Sequence, residues 1–417
     1  MHLPTDHAAL IWLVALASIL LMLLRPWHIR EAVWISAGAL LLIVLRLIPL
    51  RFAMQAVASG SGVYLFLAGM MLLAEQARQE GVFDWIADIA VRRARNSTSR
   101  LFLLIYVAGI AVTSLLSNDA TAVVLTPAIL AAVRRARVQP KPYLLACALI
   151  ANAASFLLPV SNPSNLVVYA SHLPALGQWM RIFLLPSVAS IVVTFICLRF
   201  LLRKAMAFPI ATVEGRVTLS PAGRLALYGL LFAATVLLSA SAFGIRLGLP
   251  TCAAAVASLL LVSLKDRGVL KQAARGISWS ILPLVAGLFI LVEAMNSAGL
   301  LPLIESAFQW CGRQPKLAGY LVSSAGTAFL SNAMNNLPVG LAAGTALKLT
   351  PHLSPAVLIG VNLGPNLSVT GSLATILWLI ALRRGNVEIS HWEFFKTGMI
   401  AMPAALLVSL LALWLTA

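Results

Sequence analysis

Charge is what this sequence is poorest in. Asp, Glu, Lys and Arg together supply 10% of its 417 residues, whereas 61% are hydrophobic and the mean hydropathy is +0.95. That balance excludes an ordinary water-soluble domain and makes a bilayer the natural solvent. Acidic residues are scarcer than basic ones, 13 against 30, for a net charge of +17. The basic residues gather at the ends of apolar runs, which is the pattern of a positive-inside membrane protein rather than of a nucleic-acid surface. Cysteine is sparse as well. Cys147, Cys197, Cys252 and Cys311 form no C-x-x-C pair, so neither a disulfide framework nor a thiolate metal site is indicated. Also missing are G-x-x-x-x-G-K-[ST], H-E-x-x-H and any Ser/His pairing, so the chain is not expected to be an enzyme, nor to need a cofactor or a catalytic metal.

What is present is a long series of apolar runs. A helix needs about 20 mostly apolar residues to cross a hydrocarbon core of roughly 30 Å. Such runs occur near 8–24, 33–50, 60–77, 143–171 and 180–202, and again near 223–243, 248–264, 279–297, 354–382 and 394–415. The first run follows a segment without Lys or Arg and no small-residue cleavage site comes before the next, so it reads as a retained span. The more polar stretch 203–222 divides the series into five and five as a cytoplasmic linker. Charge then favours an N-terminus outside, with the clusters at 92–95, 134–137, 203–204, 265–275 and 383–384 in the cytoplasm.

Between the third and fourth spans of each half lies extra apolar sequence, 101–136 and 316–349, that reads as a re-entrant hairpin. In the first, Leu101–Leu116 and Thr121–Arg134 would be helices of roughly 24 and 21 Å, too short to span comfortably. Segments 83–96 and 299–312 precede the hairpins, and the first alternates apolar and basic faces like an interfacial helix. The expected fold is therefore an all-α membrane protein of two inverted repeats, 1–202 and 223–417. Each would hold five transmembrane helices, a hairpin and a broken helix, at 143–171 and 354–382.

The repeat is visible in the residues. Leu67-Ala68-Gly69, Glu75 and Gly81 match Val285-Ala286-Gly287, Glu293 and Gly299, each pair 218 apart. Ser117-Asn118 matches Ser331-Asn332 at 214, and Asn152 matches Asn362 at 210. Odd-numbered spans per half put the halves in opposite orientations, a design common in secondary transporters.

Polar residues interrupt the apolar sequence at four places. The hairpin tips are Ser117-Asn118-Asp119-Ala120-Thr121 and Ser331-Asn332-Ala333-Met334-Asn335-Asn336. The broken helices carry Ser161, Asn162 and Asn165 in the first half, and Asn362, Thr370, Gly371 and Ser372 in the second, among Pro159, Pro163 and Pro365. Hydrocarbon offers no hydrogen bonds, so such groups survive where protein buries them or where they line a wet cavity. Ser and Asn also cap helices, which would explain one tip but not two in matching positions. These residues, with Asn152, are the expected substrate-binding set. Asp119 is the candidate for proton coupling, with Glu75 and Glu293 as further intramembrane carboxylates of the same kind. No Lys or Arg falls within either tip or break, so a neutral polyhydroxy solute or small cation fits the pocket better than a polyanion.

Ser117-Asn118-Asp119 with Leu125-Thr126-Pro127, Met334-Asn335-Asn336 with Pro338, and Leu363-Gly364-Pro365 through Gly371-Ser372-Leu373-Ala374-Thr375-Ile376-Leu377-Trp378 resemble the arsenite efflux permease family of the ion-transporter superfamily. The resemblance runs along nearly the whole chain. It implies export of arsenite and antimonite, as neutral trihydroxides, across the bacterial inner membrane in exchange for protons, by elevator-type alternating access. It also implies that some members work with a soluble arsenical ATPase. Where the family often carries an Asp and a Lys, this chain has Asn362 and Asn366, which leaves coupling to Asp119. The alternatives are a sodium–proton antiporter and the channel subunit of an ATPase-driven arsenical pump.

Overall fold

A computed structural model describes residues 5–170, 172–206 and 215–416; of the expected linker, 207–214 lies outside these. Among the described residues the structure is helical, without strands. The first half contains α1 (Thr5–Leu24), α2 (Glu31–Val44), α3 (Leu50–Ser59), α4 (Ser61–Gln79), α5 (Val82–Arg93), α6 (Thr98–Leu115), α7 (Asn118–Ala120), α8 (Thr126–Arg135), α9 (Lys141–Ala153), α10 (Pro163–Val168) and α11 (Leu176–Leu201). The second contains α12 (Pro221–Ala242), α13 (Gly248–Ser263), α14 (Val269–Gly276), α15 (Ile281–Ser297), α16 (Leu300–Gly312), α17 (Lys316–Met334), α18 (Asn336–Ala346), α19 (Ser354–Leu363), α20 (Leu373–Arg384) and α21 (His391–Thr416).

From α4 and α15 onward the two halves run through the same order of elements. Gly81 and Gly299, 218 residues apart, sit between α4 and α5 and between α15 and α16 with φ of 73° and 95°. Only glycine enters that region freely, so the turn itself explains the matched pair. Among the described residues six helical segments are long and apolar enough to cross a membrane, or seven when α3 and α4, bent by 48°, count as one. Helices α2 and α13 are shorter apolar helices. The fourth expected span of each half is interrupted, between α9 and α10 and between α19 and α20.

Three boundaries differ from the sequence reading. The run 33–50 is not one helix, because α2 stops at Val44 and α3 begins after Pro49, whose ring presets the turn. The first arms of the hairpins are longer than expected, 18 residues in α6 and 19 in α17, or about 27 and 28 Å. Helix α6 gains its first turn from Ser97, whose hydroxyl accepts the Arg100 N–H at 3.3 Å. Only the returning arms, α8 and α18, are short, with 10 and 11 residues.

The halves interlock. Helix α15 packs on α1 and α2, while α4 packs on α12 and α13. Each half thus lends its third span to the other half's first two. Across the α4–α13 seam Gln76 donates to the Ser258 hydroxyl. The exchange continues in the interrupted regions: α10 packs on α18, and α20 on the turn that follows α7. Long helices α11 and α21 lie against each other, with the Ser409 hydroxyl donating to Pro186 O at 3.0 Å. Helix α21 starts in a capping box, in which Glu393 N–H donates to Ser390 Oγ and Ser390 N–H to Glu393 Oε2, both at 3.0 Å. Outside the apolar core, buried Asp88 of α5 meets Arg92 at 2.8 Å and Arg135 of α8 at 4.0 Å.

Candidate functional site

At the first tip the chain turns at Ser117, which is extended and caps α7 by accepting Ala120 N–H at 3.2 Å. Asn118 Oδ1 accepts Asp119 N–H at 3.0 Å. A π-helical turn over Thr121–Leu125 joins α7 to α8, and Thr126 Oγ1 donates to Thr121 O at 2.9 Å. Such turns widen a helix locally and are common at functional sites. The fully buried Thr121 pairs its hydroxyl with Thr113 at 2.8 Å.

The second tip lies four residues later than the Ser331-Asn332 string suggests. Helix α17 continues to Met334, and the chain turns at Asn335, with φ 76° and ψ 149°. Asparagine tolerates positive φ better than most side chains. Asn335 then caps α18 through Leu337 N–H at 3.4 Å. The structural mates of Ser117 and Asn118 are therefore Asn335 and Asn336, at the same spacing of 218 as Glu75 and Glu293. Ser331 and Asn332 belong to the last turns of α17. Ser331 Oγ donates to Thr327 O at 2.8 Å. Asn332 donates to Ala328 O and Gly364 O at 2.8 and 2.9 Å and accepts from Ser368 Oγ at 2.6 Å, which fastens the interrupted segment to α17.

The two broken helices restart at capped N-termini. Asn162 caps α10 by accepting Ser164 N–H at 2.9 Å, and Ser372 caps α20 by accepting Thr375 N–H at 3.1 Å. Behind them lies a knot of amides that see no solvent. Asn362 Nδ2 donates to Asn165 Oδ1 at 3.0 Å, while its Oδ1 accepts from Asn162 Nδ2 and Ser155 Oγ, each at 2.6 Å. Asn152 Nδ2 donates to Asn366 Oδ1 at 2.9 Å, and Asn366 Nδ2 to Leu149 O at 3.0 Å.

Four helix starts meet at a cavity of about 40 Å³. Its polar wall is Asn118, Asp119, Asn162, Ser164, Asn335, Asn336 and Ser372, faced by Glu31 of α2 and by apolar side chains of α15, Met22 and Leu67. A second cavity, of about 70 Å³, is lined by Ser117 and Asp119 of the hairpin and by Glu75 of α4. No Lys or Arg lines either cavity. Burial therefore divides the expected binding set. Asn118, Asn162, Asn335, Asn336 and Ser372 line the first cavity with Asp119, and Ser117 lines the second. Thr121, Asn152, Ser161, Asn165, Ser331, Asn332, Asn362, Thr370 and Gly371 line neither. Ser161 Oγ donates to Ser114 O at 3.1 Å, Thr370 Oγ1 donates to Asn332 O at 3.2 Å, and Gly371 lies against Pro365. Glu293 is exposed and away from both cavities. Two polar residues lining the first cavity fall outside the expected set: Ser164, in the first turn of α10, and Glu31, 8% exposed and 3.0 Å from Arg25. The place of Glu31 beside Arg25 and Arg30 reads as loop, and only its position in the first turn of α2 turns it inward.

The profile of the Citrate transporter family matches residues 10–363. The Arsenical pump membrane protein of Yersinia enterocolitica is 30% identical over 354 residues, 80% of this chain and 82% of that protein, and that of Escherichia coli K12 is equally similar over the same share. This chain belongs to the arsenical pump membrane protein family. It is thus a multi-pass membrane transporter. The crystal structure of the Alcanivorax borkumensis YdaH transporter shares the fold of this arsenical pump family member, with a TM-score of 0.60 at 16% identity over 87% of this chain and 86% of that one.

Proposed function

We propose that this chain exports arsenite, and antimonite, in exchange for protons across the bacterial inner membrane, by elevator-type alternating access. The observation that carries this is the cavity wall itself: amides and hydroxyls at four helix starts, one carboxylate on a hairpin tip, and no basic side chain. Amides and hydroxyls both donate and accept, which suits three hydroxyls on a neutral centre. A tricarboxylate would lack any cationic partner there. The names of the relatives agree with an arsenical substrate.

In this reading the halves are inverted repeats of five spans, 1–202 and 223–417, joined by a cytoplasmic linker at 203–222, with the N-terminus in the periplasm. The cavity is walled by the starts of α2 and α15, beside basic residues assigned to the cytoplasm, so the conformation described here faces inward. Asp119 takes a proton from outside and releases it inside. Arsenite and the proton compete for the two states of the hairpins, and only that difference in affinity couples them. A soluble arsenical ATPase partner is the alternative drive, with this chain as the channel subunit.

A small cation would also suit amides beside a carboxylate, which favours sodium–proton exchange as the second reading. Everted vesicles separate the two. Under an imposed pH gradient, arsenite should accumulate and should dissipate the gradient. Dissipation by sodium but not by arsenite would refute the export reading.

A further inference from the structure

The two cavities share a wall. Leu67, Asp119, Pro163 and Ile281 border both, so Asp119 stands between a space lined by amides and a space that has none. The second space is walled by apolar side chains such as Phe66, Met70, Ala74, Val123 and Val124. Its polar side chains come from two sides of the fold: Asp119 and Ser117 from the hairpin, Glu75 from α4 and Ser278 from the turn before α15. A substrate that needs several hydrogen bonds finds few partners along such walls, whereas water needs only two to four. A space of about 70 Å³ exceeds the roughly 10–15 Å³ that one water needs, so water can occupy the cavity that both carboxylates border.

Glu75 is built into this space. It is 7% exposed and is gripped by Arg78 at 2.5 and 2.8 Å and by Gln79 Nε2 at 2.8 Å. Gly276 allows the approach, since a Cβ there would fall 1.8 Å from Glu75 Oε1. The charged groups on the elements around it are Arg78 on its own helix, Asp84 of α5, which acts on Arg78, Arg275 beside Gly276 at the end of α14, and Asp119 on the wall of the same cavity. Its repeat mate Glu293 has no such surroundings and lines neither cavity.

We propose that the cavity between Asp119 and Glu75 is a proton path separate from the substrate cavity, with Glu75 as the cytoplasmic proton acceptor. The O–H bond of protonated Asp119 breaks as a bridging water takes its proton. That water passes one of its own protons on, and a new O–H bond forms at the Glu75 carboxylate, which releases the proton to the cytoplasm beside Arg78. Arsenite meanwhile leaves through the amide-lined cavity. This rests on the proton-exchange reading above.

The test uses full-length protein in proteoliposomes and two readouts: arsenite counterflow at equal pH, which needs no net proton release, and arsenite accumulation driven by a pH gradient. Glu75→Gln should keep counterflow within about twofold of the parent and lose at least tenfold in pH-driven accumulation. Ala74→Leu, which adds bulk to the wall of this cavity and leaves the Glu75 carboxyl group in place, should do the same, and Glu293→Gln should change neither. Unchanged pH-driven accumulation in Glu75→Gln overturns the inference alone. Loss of counterflow together with accumulation in both path variants also overturns it, since Glu75 would then serve substrate or folding. If the parent protein itself couples no protons to arsenite, the exchange reading fails instead.

Discussion

Replacing Asn362 with alanine separates the two fates of a deep amide. Asn362 is completely buried, and its side chain completes three others: it donates to Asn165 Oδ1 and accepts from Asn162 Nδ2 and Ser155 Oγ. Ser155 keeps a partner in Asn152 O at 2.7 Å, so alanine strands two buried groups, the Asn165 oxygen and one Asn162 N–H. Each stranded group costs about 1–3 kcal/mol, or about 2–6 kcal/mol together. At about 2.1 cal/mol/K per residue, a chain of 417 residues has an unfolding entropy near 0.9 kcal/mol/K, so Tm should fall by about 2–7 °C. The assay is thermal unfolding of the detergent-purified protein, with vesicle transport normalised to folded protein. Asn118→Ala, at the cavity wall, should show the opposite balance, a loss of arsenite transport with Tm nearly unchanged. A double-mutant cycle of Asn362 with Asn165 should give a coupling of about 1–3 kcal/mol. An Asn362→Ala protein with parental Tm and abolished transport would refute the division between knot and cavity wall.

Other outcomes follow from close packing and from charge. Gly360→Ala would bring a Cβ to 2.2 Å from Ser324 O, on the facing backbone of α17, so α17 and α19 must part. Thermal unfolding should register a loss above about 3 kcal/mol, whereas Gly326→Ala, which meets nothing within 4 Å, should be near neutral. Lys141 at 2.9 Å, with the Ser390 N–H, holds the Glu393 carboxyl below its ordinary value of 4.5. A depressed folded value means the pair stabilises above the unfolded value and is lost as pH falls through the folded one. The Tm difference between the parent and Glu393→Gln should therefore be constant above about pH 5 and vanish on further acidification. Both partners are about half exposed, so the difference should stay below about 1 kcal/mol and shrink with salt.

Much of this architecture is legible in the sequence because hydrophobic runs and helix caps are local signals. Gly81 and Gly299 announce a left-handed turn that nothing but their backbone needs, and the Asn162 and Ser372 caps follow from Ser and Asn placed before new apolar runs. The second hairpin turn falls within the expected tip, but Ser331-Asn332 copies the letters of Ser117-Asn118 and so draws the repeat match four residues early, while the turn is set by the positive φ of Asn335. Helix α3 falls between the apolar runs 33–50 and 60–77, where Arg51 and Gln55 interrupt the apolar pattern, and is marked only by Pro49 before it. The division of the amides could not be read from one dimension. Asn362 and Asn118 are the same residue type in the same kind of apolar surroundings, and they differ in which side chains the folded chain brings to them. Glu31 shows the reverse failure, a residue that looks like loop and faces the cavity.

The central claim is that Asp119, alone on a hairpin tip beside a pocket without Lys or Arg, ties proton movement to arsenite. Purified protein in proteoliposomes, given an arsenite gradient and no pH gradient, tests it with a pH dye inside and arsenite measured outside. The account predicts that the parent moves protons against arsenite, and that Asp119→Asn still exchanges arsenite with no proton movement. Equal proton movement in Asp119→Asn, or none in the parent while arsenite flows, would contradict it.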